Sequence, residues 1–286
     1  RPSLEGDELA FAEAWHDPKI DCRSFLEDSR DRKFRIGEGL PGRVWQSGQS
    51  AWVPDVTVDE NFPRASVSIA CGLHAGDAET MARTVERCLA RGVAIGAHPS
   101  FDDREGFGRR EVHLGPREVA SLVQQQLEVL ATIVDTAAGR LHHVKPHGAL
   151  YNQAARDAPL ARAIAGAVHA FDPGLLLIGL AGSALVSEGE AAGLRVANEV
   201  FADRAYRADG SLVSRSQAGA VIEDAAIAVE RALGMVRFGR VRSIDGAEVA
   251  IRAETVCVHG DTPGAVALAR SLRDALNEAG VTLSAA

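Results

Sequence analysis

The sequence predicts an α/β fold with a parallel sheet over residues 66–286, either a (β/α) barrel or a doubly wound sheet. In this part of the chain, short apolar runs alternate with helical stretches rich in Ala, Arg and Glu, a pattern typical of right-handed parallel crossovers. Aromatic residues make up only 5% of the chain, which favours a core of small aliphatic side chains. Polar residues follow most of the apolar runs, and this placement indicates functional groups at the carboxyl ends of the strands.

The elements can be assigned in order along the chain. Each predicted strand is an apolar run of three to five residues bounded by glycine, proline or polar residues. The predicted strands are 66–70, 93–95, 141–144, 175–179, 194–197 and 256–258. The helices between them have apolar residues at helical spacing, and Pro116 suits the first turn of the longest one. The predicted helices are 78–91, 115–138, 153–170, 183–192, 223–238 and 263–278.

Composition and charge exclude several classes of protein. The chain has 286 residues, with 31 Lys and Arg against 39 Asp and Glu, so its formal net charge is -8. Such a charge disfavours general binding to nucleic acid or to anionic membranes, because phosphates would be repelled. The sequence contains neither a long uncharged apolar run nor a signal-peptide pattern, so we expect a cytoplasmic protein without a membrane partner. The four cysteines form no CxxC pair, which disfavours a disulfide scaffold.

The first 65 residues differ from the remainder. They contain all three tryptophans and turn-forming segments such as GEG and LPG, and the regular alternation begins only after them. We therefore predict a domain boundary near residue 65. Neither GxGxxG nor GxxxxGK[ST] opens any of the α/β units, so nucleotide binding through those two loops is disfavoured.

Five polar groups occupy equivalent positions, directly after predicted strands. They are His74 with Asp77, His98, Lys145 with His147, Asp203 with Arg204, and His259 with Asp261. Each alone has a structural explanation, since a histidine after a strand is often a turn residue and an aspartate before a helix is usually an N-cap. Five groups at the same place in their units are harder to explain this way. Because the carboxyl ends of parallel strands share one edge, we expect these side chains to converge.

Imidazoles, carboxylates and two cations together suit proton transfer and the stabilisation of negative charge on a carbonyl or phosphoryl oxygen. The same set could instead hold a divalent metal through His74, His98 and a carboxylate. An HExxH motif and the TFDD-type motif of polysaccharide deacetylases are both absent from the sequence. Metal-dependent hydrolysis is therefore the second interpretation.

At these residues the sequence strongly resembles the LamB/YcsF family. The matching segments are IACGLHAGD (69–77), GVAIGAHPSF (92–101), GFGRR (106–110), HVKPHGALYN (143–152), DPGLLLIGLAGSAL (172–185), EVFADRAYRADGSLVSRS (199–216) and CVHGDTPGAV (257–266). The resemblance implies a (β/α) barrel-like fold of the glycoside hydrolase/deacetylase superfamily. It also implies the ATP-dependent opening of the lactam 5-oxo-L-proline to L-glutamate by a 5-oxoprolinase, with partner subunits B and C.

For that reaction we assign roles to the residues as hypotheses. ATP with Mg²⁺ is the implied cofactor, and a bound divalent metal is the alternative. The positive charges would come from Lys145 and Arg204. The imidazoles that would move protons are His74, His98, His147 and His259, and their acid and base roles are left open. The carboxylates that would orient them are Asp77, Asp203 and Asp261, and the expected substrate contacts are Tyr151, Glu199, Tyr206 and Arg215.

The sequence departs from the family pattern in its first part. Family members open with a strand and a DLNxDxGE-type motif, and residues 1–65 contain no such motif. The resemblance therefore implies a barrel that lacks its first strand. Residues 34–65 instead resemble part of a GAF domain, a small-molecule sensing module, so residues 1–65 are predicted to be a truncated GAF-like segment. Two other functions remain open, a metal-dependent deacetylase and a ligand-sensing protein whose barrel is inactive.

Overall fold

A computed structural model describes residues 66–258 and 265–283, together with the backbone of two short strands near the start of the chain. The chain divides into two compact units, Arg1–Phe62 and Pro63–Ala286. In the first unit, β1 (Glu8–Ala10) pairs antiparallel with β2 (Lys33–Arg35). The GAF-like assignment falls mostly on residues outside the described ones and stays a prediction.

The second unit is built on one parallel sheet of six strands. These are β3 (Ser66–Ala70), β4 (Ala94–His98), β5 (Leu141–Val144), β6 (Leu176–Leu180), β7 (Arg195–Phe201) and β10 (Thr255–Cys257). Their order across the sheet is their order along the chain. A doubly wound sheet would reverse direction at a switch point, whereas this order proceeds one way. The winding is that of a (β/α) barrel, and the barrel-like fold predicted from the sequence is confirmed.

Seven helices and a hairpin accompany this sheet in the described residues. The helices are α1 (Ala78–Leu89), α2 (Pro116–Thr136), α3 (Gly148–Arg156), α4 (Ala158–Phe171), α5 (Ala184–Ala191), α6 (Ala225–Phe238) and α7 (Ala265–Glu278). The hairpin, β8 (Arg240–Arg242) with β9 (Glu248–Ala250), was not predicted. The single predicted helix 153–170 is wrong, because the chain forms α3 and α4 there. Asp157 ends α3 in an extended conformation, and its carboxylate accepts the Leu160 N–H at 3.0 Å to cap α4.

The two faces of the sheet differ in character. Ile95, Ala97 and Val144 belong to a large apolar core together with buried residues of α2 and α4. Because side chains alternate along a strand, His143 and Lys145 face away from this core. The imidazole of His143 crosses Gly96 of the neighbouring strand and reaches Ser68 Oγ, 3.0 Å from its Nε2. The face opposite the helix-side core therefore carries polar groups.

The register brings the polar residues to one edge of the sheet. Ala70 pairs with His98, Leu180 with Glu199, and Phe201 with Cys257. All six strands run in the same direction, so these positions lie at or near the carboxyl end of each strand. The fold therefore places the candidate groups together although they are far apart in the sequence.

Candidate active site

Three imidazoles from consecutive strand ends form one cluster. His74 lies in the loop after β3, His98 is the last residue of β4, and His147 is the N-cap of α3 after β5. The rings of His74 and His147 are stacked, with centroids 4.0 Å apart and planes 7° apart. The ring of His98 is 5.7 Å from that of His74 and 4.7 Å from that of His147. The structure thus brings together three of the four histidines singled out from the sequence.

Hydrogen-bond partners assign the protons on two of these rings. Nδ1 of His98 lies 2.6 Å from the Lys145 carbonyl oxygen, which can only accept, so Nδ1 carries a proton. Burial lowers the pKa of His98 well below its ordinary value, so the ring is neutral and its Nε2 is an acceptor. Nδ1 of His147 donates to that Nε2 at 2.9 Å. Nε2 of His147 lies 2.8 Å from the Phe107 carbonyl oxygen and must also donate. With His98 neutral, these contacts are all satisfied only when His147 carries both protons and is an imidazolium.

His74 has a different environment. Its Nδ1 lies 2.7 Å from Ser100 Oγ, and the Ser100 hydroxyl donates to the Phe101 carbonyl at 2.9 Å. The hydroxyl proton is thereby used, so Nδ1 of His74 is the donor. Burial lowers the pKa of His74 to about 3, and positive charge on His147 and on nearby arginines acts in the same direction. His74 is therefore neutral at ordinary pH.

A loop between β4 and α2 covers the imidazoles. Phe107 has a left-handed backbone, with φ of 54°, and its ring lies edge-on to His74 and His147 at 5.5 and 5.3 Å. The guanidinium carbon of Arg109 lies 4.9 Å from the centroid of this ring. A Cβ on Gly108 would come within 2.9 Å of both histidine side chains, so only glycine fits there. A left-handed conformation of a non-glycine residue is costly, and such strain is often found at functional sites.

A salt bridge fastens the same loop. The carboxylate of Asp103 is buried and accepts hydrogen bonds from the Arg110 guanidinium, with Nε 2.7 Å away, and from the Gly106 N–H. The Arg110 hydrogen bond, with further backbone donors, lowers the pKa of Asp103 to about 2. Ser100, Asp103 and Phe107 were not predicted as functional residues, although GFGRR was among the segments that carried the resemblance.

A second cluster lies at the ends of β5, β7 and β10. Nζ of Lys145 donates to Glu199 Oε1 at 2.6 Å and lies 3.1 Å from Cys257 Sγ. The Tyr151 hydroxyl donates to Glu199 Oε2 at 2.9 Å. Burial alone would lower the pKa of Lys145, but Cys257 and Glu199 beside the ammonium raise it above its ordinary value. Lys145 therefore stays protonated and shares its charge with Glu199 rather than acting as an amine nucleophile.

The other predicted site residues near the end of β7 mainly stabilise the loop that follows this strand. The buried guanidinium of Arg204 donates to the carbonyls of Val213 and Ala220. Burial, followed by the charge of Arg215, lowers the pKa of Arg204 to about 10. Tyr206 is fully buried, and its hydroxyl accepts the Phe201 N–H at 2.9 Å. Asp203 is buried beside Arg204, and Arg215 is half-buried.

The other predicted carboxylates have different outcomes. Asp77 is exposed and accepts the Thr80 N–H at 2.7 Å, so it is the N-cap of α1, as the alternative interpretation of the sequence had it. His259 and Asp261 lie outside the described residues, and their roles stay predictions.

Among the residues that are described, no three His, Cys, Asp or Glu side chains are grouped as metal ligands. Both nitrogens of His98 are engaged by the protein, which does not suit a metal ligand.

A (β/α) barrel-type sheet with imidazoles, an ammonium and carboxylates at its carboxyl edge defines a protein equipped for acid–base chemistry at a carbonyl or phosphoryl group. Comparison with known sequences then identifies the family. The sequence model of the LamB/YcsF family matches residues 64–286, and the chain belongs to that family. Of the described helices, none is long and apolar enough to cross a membrane.

Individual relatives agree with this assignment. A protein from Heliobacterium modesticaldum, named as the A subunit of 5-oxoprolinase, is 55% identical over 221 residues, which cover 77% of this chain and 87% of that protein. One of the same name from Bordetella pertussis is 54% identical, with coverages of 77% and 88%. The crystal structure of a lactam utilization protein from Thermus thermophilus superposes with a TM-score of 0.71 at 48% identity, covering 77% of this chain and 87% of that one.

Proposed function

We propose that this chain is the A subunit of a 5-oxoprolinase, which hydrolyses the lactam 5-oxo-L-proline to L-glutamate with ATP. The observation that carries the proposal is the meeting of His74, His98 and His147 at the sheet edge of a chain that is 55% identical to a protein of that name. Because the relatives are named as one subunit of an enzyme, their names support partner subunits, which we take to be B and C.

The reaction demands the chemistry that these residues offer. The lactam C–N bond has partial double-bond character, so its carbonyl carbon is a poor electrophile. When bound, ATP would supply phosphorylation of the amide oxygen, which makes that carbon more reactive. Water would add to the carbonyl carbon, the C–N bond would break as the ring nitrogen takes up a proton, and a second water would release the phosphate and leave the carboxylate of glutamate. A base must therefore accept a proton from water, and fixed positive charge must face the oxygen that becomes negative.

The described side chains fit these needs to different degrees. Lys145 keeps its proton and lies beside Glu199 and Tyr151, where a polar substrate would meet a cation, a carboxylate and a hydroxyl. The imidazolium of His147 adds positive charge beside His74. Two buried carboxylates do not suit Mg²⁺, because Glu199 is engaged by Lys145 and Asp103 by Arg110. We therefore assign no step to a metal held by this part of the chain.

Reconstitution with subunits B and C tests the proposal. With 5-oxo-L-proline and ATP, the complex is expected to release glutamate. The variant His147→Ala should lower kcat at least about 100-fold, because the loss of acid–base and charge effects in a site costs that much. His169→Ala, on the exposed face of α4, is the matched control and should retain activity. A parent complex that releases no glutamate would contradict the proposal, and full activity of His147→Ala would contradict the catalytic role of the imidazole cluster.

The same preparation separates the other two functions. Cleavage of an N-acyl substrate that persists without ATP and disappears with a chelator would identify a deacetylase instead. A small-molecule ligand whose binding is lost on deletion of residues 1–65, in a complex without lactam hydrolysis, would identify a sensor with an inactive barrel.

A further inference from the structure

A buried chain of polar groups leads from α2 to the imidazole cluster. Gln126 is only 3% exposed and lies on the face of α2 that otherwise buries Val119, Val123, Leu127 and Leu130. A polar side chain at such a position is costly unless its hydrogen bonds are made. Gln126 is therefore the one polar residue on this buried face of α2, and its hydrogen bonds need to be accounted for.

The bonds of Gln126 fix the residue that contacts His74. Its Oε1 accepts the Ser100 N–H at 2.9 Å, and its Nε2 donates to the Ser100 carbonyl at 2.9 Å and to the Leu122 carbonyl at 3.0 Å. The side chain of Gln126 thus binds both the N–H and the carbonyl of Ser100 and fixes its backbone. With its hydroxyl proton directed to the Phe101 carbonyl, Ser100 Oγ can only accept from Nδ1 of His74.

The other two imidazoles are already committed to the protein. His98 donates to the Lys145 carbonyl and accepts from His147, and His147 also donates to the Phe107 carbonyl. In the part of the chain that the structure describes, Nε2 of His74 is the ring nitrogen of this cluster that forms no hydrogen bond with the protein. A lone pair is available there for a reacting group.

We infer that Ser100 and Gln126 are positioning residues that hold His74 in the tautomer protonated on Nδ1, so that its Nε2 is the proton acceptor of the cluster. This assigns the base that the sequence left open among four histidines. It rests on the proposed function for the identity of the proton, which comes from the attacking water. The tautomer itself is a property of the chain and does not depend on that reaction.

Nitrogen NMR of the full chain labelled with ¹⁵N-histidine tests the tautomer directly. The resonances of His74 are assigned by their loss in His74→Gln. At pH 7 they should show a protonated Nδ1 and a bare Nε2. In Ser100→Ala and Gln126→Met, where the acceptor or its support is removed, the Nε2-protonated tautomer should become populated. Gln125→Met is the matched control, since Gln125 is an exposed neighbour on the same helix, and it should leave the spectrum unchanged.

Two NMR results would overturn the inference. One is a His74 that carries its proton on Nε2, or on both nitrogens, in the parent protein. The other is an unchanged tautomer in both Ser100→Ala and Gln126→Met. The Ser100→Ala variant alone decides the second point when Gln126→Met does not fold.

Kinetics of the reconstituted complex then connect the tautomer to turnover. Ser100→Ala should lower kcat about tenfold, the equivalent of one lost hydrogen bond, with KM nearly unchanged because no substrate contact is removed. Gln125→Met should keep the parent kcat. An unchanged kcat in Ser100→Ala would contradict the role of Nε2 as the acceptor. A parent complex without lactam hydrolysis would instead overturn the proposed function, and the NMR result would still decide the tautomer.

Discussion

Gly96 has no side chain at the point where the imidazole of His143 crosses the sheet. A Cβ built there would lie between 2.1 and 2.4 Å from three atoms of that ring. The ring is 1% exposed and is held by Ser68 on the next strand, so it has no room to withdraw. One hydrogen atom at position 96 thus permits a polar contact that spans three strands.

We therefore expect Gly96→Ala to lower the free energy of unfolding by about 1–3 kcal/mol, the usual cost of overpacking a filled core. The matched control is Gly166→Ala on the exposed side of α4, where a Cβ would meet nothing within 4 Å. That change should stabilise the protein by roughly 0.5–1 kcal/mol, because alanine is the better helix residue. Urea unfolding measures both. A Gly96→Ala protein as stable as the parent would show that the ring is not confined.

The C-terminus of α2 is closed by two backbone hydrogen bonds that require a left-handed residue. The Gly139 N–H bonds to the Val134 carbonyl at 2.9 Å, and the Ala138 N–H bonds to the Asp135 carbonyl at 2.9 Å. These two bonds form a Schellman motif, in which the residue after the C-cap is left-handed and usually glycine. Here that residue is Ala138, with φ of 56°. The helix thus ends in a conformation that its own sequence disfavours.

The substitution Ala138→Gly should raise the free energy of unfolding by about 1 kcal/mol, since it removes the steric cost of a left-handed alanine. The preceding residue supplies the control, because Ala137 has a negative φ of -86°, which any residue adopts. Ala137→Gly should destabilise the protein by roughly 0.5 kcal/mol through added chain entropy. Thermal or urea unfolding of the two variants should therefore shift in opposite directions. Shifts in the same direction would rule out backbone strain as the cause.

At the scale of the whole molecule, the sequence predicted the features that follow from the parallel direction of the strands. Alternating elements require parallel strands, and parallel strands bring His74, His98 and His147 to one edge wherever the helices lie. The sequence could not predict which nitrogen of each ring holds a proton, because the partners are carbonyls of Lys145 and Phe107. The contact between Phe107 and His147 joins residues 40 positions apart, through a loop with no periodic pattern.

The same limit explains Gln126 and the strand lengths. Three consecutive glutamines suggest an exposed helix surface, and only the packing of α2 shows that one of them is buried. The strand predicted at 194–197 extends to Phe201, because Glu199 is neutralised inside the site by Lys145 and Tyr151. When the distant partner of a polar residue is not known, the residue is taken to be exposed, and the predicted strand ends before it. The early end of this predicted strand therefore reflects a pairing between residues that are far apart in the sequence.

The neutral histidines determine how the whole domain responds to acid. Burial lowers the pKa of His143 from 6.5 to about 4, and the charges of His142 and Lys145 act in the same direction. Burial likewise lowers the pKa of His74 and His98. Between these lowered values and 6.5, the unfolded chain binds protons that the folded chain does not. Through these three rings, the free energy of unfolding therefore decreases as the pH falls below about 6.5.

The share of His143 in this acid sensitivity can be isolated. At pH 4, its lowered pKa corresponds to a loss on the order of 3 kcal/mol relative to pH 7. His143→Gln can still bond to Ser68 but does not titrate, so its stability should decline less steeply between pH 6.5 and pH 4 than that of the parent. His169→Gln, on the exposed surface of α4, should follow the parent curve. Urea unfolding at intervals across this range gives the three profiles. Parallel profiles for His143→Gln and the parent would mean that the ring already binds a proton inside the folded sheet, and that its contact with Ser68 is made by an imidazolium.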